Sequence, residues 1–291
     1  MVSALKAKRQ TTNVPVPEPA SLQPRAVLLF DIDGVIRDVS GSYRRAIAET
    51  VHHYNGWRPE PGQIDALKAE GHWNNDWQAS LELLRRRGLQ PLPTLDAVVE
   101  VFSRLYFGGD PDGDPAGWRG FIKSEPLLVE RDFFRVLEQA GISWGFVSGA
   151  EPPSCRYVLQ QRLGLVNPPL IAMGEAPEKP DPTGFLHLAL KLGTTASGHS
   201  LPVAYLGDTV ADVRTVMAAR RQRPDLTLLS LAVAPPHLQT PELATARHDY
   251  EQGLLCAGAD RLIPSTASLE PDQLLGWLGA RPLNAPSPPA P

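Results

Sequence analysis

Six short apolar runs constrain this chain more than any other feature of it: residues 25–30, 142–147, 170–172, 202–206, 227–233 and 261–263. Each is too short for a core helix. Each is also almost continuously apolar where a half-exposed strand would alternate, so each reads as a strand buried on both faces. Between them lie stretches of helical period, at 131–140, 155–163, 183–192 and 210–220. Strand and helix in alternation specify a parallel, doubly wound α/β sheet with helices on both faces, and in such sheets ligands sit beyond the carboxyl ends of the strands.

One stretch departs from this rhythm. Residues 40–124 carry helical patterns at 43–54, 61–69, 75–87 and 95–106 and no strand. They read as an all-helical insertion after the first strand, with Ser40 and Ser42 as N-cap residues and Gly56 as a helix stop. The expected organisation is a core of 25–39 and 125–281 with a helical domain over 40–124. The 30 prolines among 291 residues are about twice the usual roughly 5% and crowd the two ends. Segments 1–24 and 282–291 lack the apolar side chains that offset ordering entropy and are expected to stand outside the fold as disordered tails.

Composition excludes several functions. Twenty-eight Lys and Arg against 32 Asp and Glu give a net charge of -4, which lacks the basic field that nucleic-acid binding uses. The apolar runs fall well short of the roughly 20 residues that span a bilayer, so no membrane is expected as a partner. The two cysteines, Cys155 and Cys256, have no CxxC or Cys/His spacing and read as reduced thiols of a cytoplasmic protein. Met1 to Arg9 carries no apolar segment of the secretory type. Oligomeric state is not written in these features.

Four elements carry chemistry. Asp31-Ile-Asp33-Gly34 ends the first strand and sets two carboxylates two residues apart, on one side of an extended chain. Ser148-Gly149 ends the second and offers a hydroxyl and backbone N–H groups to a phosphate. Glu178-Lys179-Pro180-Asp181-Pro182 sets a lysine just before a helix start, with Pro182 expected at the first helical position. Gly207-Asp208-Thr209-Val210-Ala211-Asp212 adds two more carboxylates at a strand end. A calcium loop at Asp31 is excluded by Val35 and Ile36, and one at Asp110-Pro111-Asp112-Gly113-Asp114 by Pro115 and Phe121. A nucleophilic serine elbow is excluded because the glycine before Ser148 is Gly145, one residue too far. The seven histidines form no HExxH pair, and Arg85–Arg87 read as a solvated helix end.

In this order the four elements resemble the haloacid dehalogenase superfamily of aspartate-nucleophile phosphotransferases, over all of the chain but its tails. The resemblance implies Asp31 as nucleophile and Asp33 as general acid and base. It implies Ser148 and Gly149 as the phosphate-binding pair and Lys179 as the charge-neutralising lysine. Asp208 and Asp212 match the acidic motif that holds Mg2+ together with Asp31 and the backbone carbonyl of Asp33. The insertion resembles the helical C1 cap of subfamily IA, in a separate branch near phosphoglycolate phosphatase and β-phosphoglucomutase, on the run Glu70-Gly71-His72-Trp73-Asn74-Asn75-Asp76-Trp77.

The implied function is a magnesium-dependent phosphatase of a small phosphorylated metabolite, acting through an aspartyl phosphate. Asp33 separates this pattern from the dehalogenases that resemble it without that acid. Two alternatives stay open at this stage. A β-phosphoglucomutase-like phosphomutase would need Lys68 or His72 to help a sugar accept the phosphoryl group. An idle binding module would be marked by loss of a motif residue, and none is lost. His72, Trp73, Asn74 and Asn75 are candidate substrate contacts, and Trp73 with Trp77, four apart, equally fit a packed helical core.

Overall fold

Strand β1 (Ala26–Phe30) is buried at every residue, as its uninterrupted apolar sequence requires. Its side chains divide between two cores. Ala26, Leu28 and Phe30 face one, and Val27 and Leu29 face the other. Burying a side chain of this size contributes about 1.5–3 kcal/mol, so β1 anchors both layers. The structure, a computed structural model, describes residues 23–73 and 75–280. The Pro-rich tails expected at the ends, save residues 23–24, lie outside the described residues.

The sheet is parallel throughout and six-stranded, in the order β3-β2-β1-β4-β5-β6. The other strands are β2 (Ile142–Val147), β3 (Leu170–Ile171), β4 (Val203–Gly207), β5 (Leu228–Val233) and β6 (Arg261–Ile263). All six apolar runs of the sequence become strands. The chain leaves β1 toward β2 and β3 on one side, then crosses to β4, β5 and β6 on the other. The switch point falls at β1, where such sheets open a crevice at their carboxyl edge. Register puts Phe30 opposite Phe146 of β2 and Leu206 of β4. The residues just after these three strands therefore emerge together.

Between β1 and β2 run the four helices of the insertion, α1 (Tyr43–Asn55), α2 (Pro61–Ala69), α3 (Asp76–Arg86) and α4 (Leu95–Tyr106). α1 packs on α3 and α4. An aromatic chain joins the insertion to the core. The Tyr43 and Tyr106 rings stack at 4.2 Å between centroids, and Phe107, Trp118 and Tyr157 continue the line. Gly56 ends α1 in the left-handed conformation, as read from the sequence. Ser42 does not cap α1 with its side chain. Its hydroxyl donates instead to Glu125, a buried carboxylate 83 residues away that outcompetes the local backbone.

The remaining helices are α5 (Arg131–Gln139), α6 (Pro152–Arg156), α7 (Thr183–Gly193), α8 (Val210–Gln222), α9 (Ala244–Ala257) and α10 (Pro271–Trp277). α6 starts three residues before the expected 155 because Pro152 and Pro153 fit a first turn, and it runs on as a π-helical stretch, Tyr157–Arg162. α7 starts at Thr183, as the helical period at 183–192 gives, with Pro182 just before the helix and not its first residue, and the Asp181 side chain accepts from the Thr183 N–H. Among the described residues no helix is long and apolar enough to cross a membrane.

Candidate active site

Asp31 follows β1 directly, and its N–H donates to the Leu206 carbonyl of β4 at 2.9 Å. Ser148 follows β2, and its N–H donates to the Ile171 carbonyl of β3 at 2.9 Å. Asp208 follows β4, and Lys179 lies in the loop between β3 and α7. The sheet thus delivers all four to one carboxyl edge, where they line a single cavity of about 150 Å³ with Asp33 and Gly149.

Close approach of backbone to carboxylate is built into this edge. Gly34 has φ +74°, and a Cβ there would lie 2.1 Å from Asp208 Oδ2. A Cβ on Gly207 would lie 2.3 Å from the Cβ of Asp212. Only glycine fits at either position.

Among the described residues Lys179 is the one cation paired with these carboxylates. Its Nζ lies 3.0 Å from Asp31 Oδ1, donates to Asp212 Oδ1 at 2.5 Å and meets the Tyr205 hydroxyl at 3.2 Å. Burial opposes its charge, yet Asp212 and Asp31 together hold its pKa well above the usual lysine range. Asp212 is enclosed by donors. The Tyr205 hydroxyl donates to Oδ1 at 3.0 Å, and the Thr209 N–H and hydroxyl donate to Oδ2 at 3.0 and 2.6 Å. That pair forms a capping box at the start of α8. Burial alone would raise the Asp212 pKa, but Lys179 and the Thr209 bonds pull it below the ordinary value.

Asp31 and Asp208 have no such shelter. Burial pushes Asp31 up to about 7, with Asp212 and Asp33 adding to the rise and Lys179 opposing it. Burial, Asp212 and Asp31 drive Asp208 well above the usual carboxylate range. Oxygens of Asp31, Asp208 and Asp212 lie within 4.8 Å of one another, all buried. Three carboxylates against one lysine leave a negative surplus that a small divalent cation would neutralise. An all-oxygen donor set suits magnesium.

Asp33 is partly exposed, and its Oδ1 accepts from Arg37 Nε at 2.7 Å. Arg37 is wholly buried and reaches Glu125 Oε2 with Nη1 at 2.9 Å. Oε1 of Glu125 accepts from Ser42 and from the Tyr106 hydroxyl at 2.5 and 3.1 Å. Arg37 and Glu125 stand where the chain enters and leaves the helical insertion. The two passages run together there, with the Asp38 N–H donating to Pro126 and the Leu128 N–H to Ile36, each at 2.9 Å. Neither residue was singled out in the sequence. Asp33 and Arg37, four apart, have the spacing of a local ion pair, and that was the one available signal. Glu125, 88 residues from Arg37, had none.

The run proposed for substrate contact is divided by the structure. Asn75 lines the cavity and caps α3, its side-chain oxygen accepting from the N–H groups of Trp77 and Gln78. His72 is exposed and lies outside the cavity lining, and Trp73 donates to Glu70 at 2.9 Å and packs on the core. Asn74 lies outside the described residues. Lys68 also lines the cavity, where it pairs with Asp76.

A family profile for haloacid dehalogenase-like hydrolases matches residues 26–219. An imidazoleglycerol-phosphate dehydratase from Phytophthora nicotianae is 33% identical over 194 residues, which are 65% of this chain and 40% of that protein. The chain thus spans less than half the length of this relative. Among solved structures, phosphatase Tt82 from Thermococcus thioreducens is similar with a TM-score of 0.53 and 20% identity, over 70% of this chain and 92% of that one. A HAD family hydrolase from Deinococcus radiodurans R1, with bound phosphate and sodium, is similar with a TM-score of 0.57 and 18% identity, over 88% and 97%. The profile spans most of the chain and includes every motif residue named above, and the chain accordingly belongs to the haloacid dehalogenase-like hydrolase family.

Proposed function

We propose that this hydrolase is a magnesium-dependent phosphatase that cleaves a small phosphate monoester through a phosphoryl group carried on Asp31. The observation that supports it most is the convergence of Asp31, Lys179, Ser148 and Asp208 on one cavity at the sheet's switch point. Phosphoryl transfer depends on positioning and charge stabilisation more than on elaborate covalent chemistry, and this cavity offers both.

In the first step an Asp31 oxygen attacks phosphorus and the bond to the leaving oxygen breaks. That oxygen takes a proton from Asp33. In the second, Asp33 takes a proton from water, the water oxygen attacks the same phosphorus, and the Asp31–phosphorus bond breaks. Arg37 donates to Asp33 Oδ1, so this reading gives the transferred proton to Oδ2. Ser148 and the N–H groups beside it hold phosphoryl oxygens, and Lys179 neutralises them. Asp31, Asp208 and the Asp33 carbonyl would hold magnesium, with Asp212 fixing Lys179 and the α8 turn beside it. Magnesium, when bound, withdraws charge from the phosphoryl oxygens.

We read 40–124 as a cap over a core of 25–39 and 125–281, closing the cavity from the side of Tyr43, Lys68, Asn75 and Trp77. The cavity's volume suits a small metabolite. The reaction belongs in a reducing cytoplasm, in keeping with two free cysteines. The phosphomutase alternative loses ground, because Lys68 is engaged by Asp76 and His72 stands outside the cavity.

The Phytophthora relative adds one ester to the test. Its name is that of a dehydratase of an imidazole-bearing phosphate ester, so a monoester on an imidazole-bearing carbon chain belongs in any substrate panel. The test is phosphate release from a panel of small monoesters with magnesium and with chelator. The reading expects magnesium-dependent turnover of at least one. Absence of release from every ester, a generic aryl phosphate included, would contradict it, and a requirement for a sugar bisphosphate would favour the mutase.

A further inference from the structure

Glu151 follows the Ser148-Gly149-Ala150 turn and lines the same cavity. Its Oε2 is shut off from solvent and accepts no hydrogen bond from any described residue. Two other carboxylates of that lining have partners. Asp38 accepts from the Ser40 N–H and hydroxyl at 2.9 and 2.6 Å. Asp76 pairs with Lys68.

Glu151 feels a like charge instead. Burial, with Asp112 of the cap's 110–114 turn, pushes its carboxyl up to about 7. Tyr43 of α1 lines the same cavity, and its hydroxyl pKa is raised by burial first and further by Asp33 and Glu151. A buried carboxylate oxygen without a donor costs free energy, and native structures retain few such groups.

We propose that Glu151 determines specificity, and that the substrate is a phosphate monoester whose alcohol part carries a cation, a protonated amine or an imidazolium, that docks on Glu151. The proposal rests on the phosphatase reading above. A neutral hydroxyl would satisfy the open oxygen but leave the repulsion between Glu151 and Asp112. A cation relieves both, and a charge-assisted bond is about twice as strong as a neutral one. The ligand is then dipolar, with its phosphate at Lys179 and Ser148 and its cation at Glu151. The cavity of about 150 Å³ limits the group between them to a short carbon chain.

The experiment compares kcat/KM, with magnesium, for an O-phosphorylated amino alcohol and an imidazole-bearing alcohol phosphate against neutral alcohol phosphates of the same length. Full-length wild type and Glu151→Gln are both measured. The wild type is expected to prefer the cationic esters by about tenfold or more, and Glu151→Gln to lower the cationic-to-neutral ratio about tenfold. Glu151→Lys is expected to invert the preference. An equal loss on cationic and neutral esters, or no preference in the wild type, overturns the proposal even while phosphatase activity stands. If no ester is hydrolysed, the phosphatase reading falls. Equilibrium binding of the same esters to magnesium-loaded Asp31→Asn protein then decides the charge reading alone. Tighter binding of the cationic esters, lost in an added Glu151→Gln, supports it, and equal binding overturns it.

Discussion

Two buried ion clusters lie within one turn of chain of each other, and they are built on opposite accounts of charge. At the hinge of the insertion, Arg37 lies between Asp33 and Glu125, and Ser42 and Tyr106 complete the donors to Glu125. At the sheet edge, Lys179 alone faces Asp31, Asp208 and Asp212, and only Asp212 is enclosed by hydroxyl and backbone donors. The first cluster is nearly complete from the protein's own groups. The second carries more carboxylate than its lysine balances, a surplus that the proposed magnesium would offset. The contrast supports reading the first cluster as structural and the second as chemical, since buried carboxylates without full compensation cluster at functional sites.

The largest expected effect breaks the chemical cluster. Asp31→Asn removes the proposed nucleophile and keeps its size, so turnover should fall to background while circular dichroism and Tm show an intact fold. Turnover near wild type would contradict the role of Asp31.

Breaking the hinge cluster should act on stability. Arg37→Met leaves Glu125 buried without its cation, and unfolding in denaturant should show a loss of about 3–5 kcal/mol. A double variant, Arg37→Met with Glu125→Leu, should recover part of that loss. A single variant as stable as wild type would show that the hinge pair is dispensable.

Metal and pH sharpen the same contrast. Folded Asp31 and Glu151 hold protons up to about 7, from ordinary values of 3.8 and 4.5. The folded state therefore binds more protons than the unfolded chain between about pH 4 and pH 7, and metal-free stability should fall as pH rises through that window. Magnesium should reverse the trend, with about 2.7 kcal/mol gained at a hundredfold excess over its Kd, read as a rise in Tm that grows with pH. A Tm indifferent to magnesium at neutral pH would contradict the cation site.

The smallest effect lies in the helical insertion. Asn75→Ala removes the α3 cap and should cost about 1 kcal/mol. Because Asn75 also lines the cavity, the ranking of substrates should change with it. Trp73→Ala should lower Tm without changing that ranking, since Trp73 bonds Glu70 and packs on the core.

The strands were legible because each is a continuous apolar run, and the chemical cluster because its residues follow those runs in fixed short patterns. Helix α10 escaped notice because its seven residues are too few to show a helical period, although Leu274 and Leu275 are buried, and α9 because little of it faces the core. In α9 only Leu254 is buried, so no apolar stripe marks it. The hinge cluster was hidden for another reason. Glu125 recruits Ser42 and Arg37 from more than 80 residues away, and no spacing rule reaches that far. Glu151 was equally silent, because its meaning is the absence of a donor, which only packing reveals.

The central claim, that Asp31 carries the phosphoryl group, is tested most directly by acid-quenching the enzyme during turnover of a labelled monoester with magnesium and mapping the label by peptide mass spectrometry. The account predicts a phosphoryl group on the peptide containing Asp31, removed by hydroxylamine and absent from Asp31→Asn. Steady turnover with no label on that peptide, in an enzyme whose Asp31→Asn variant still releases phosphate, would contradict it.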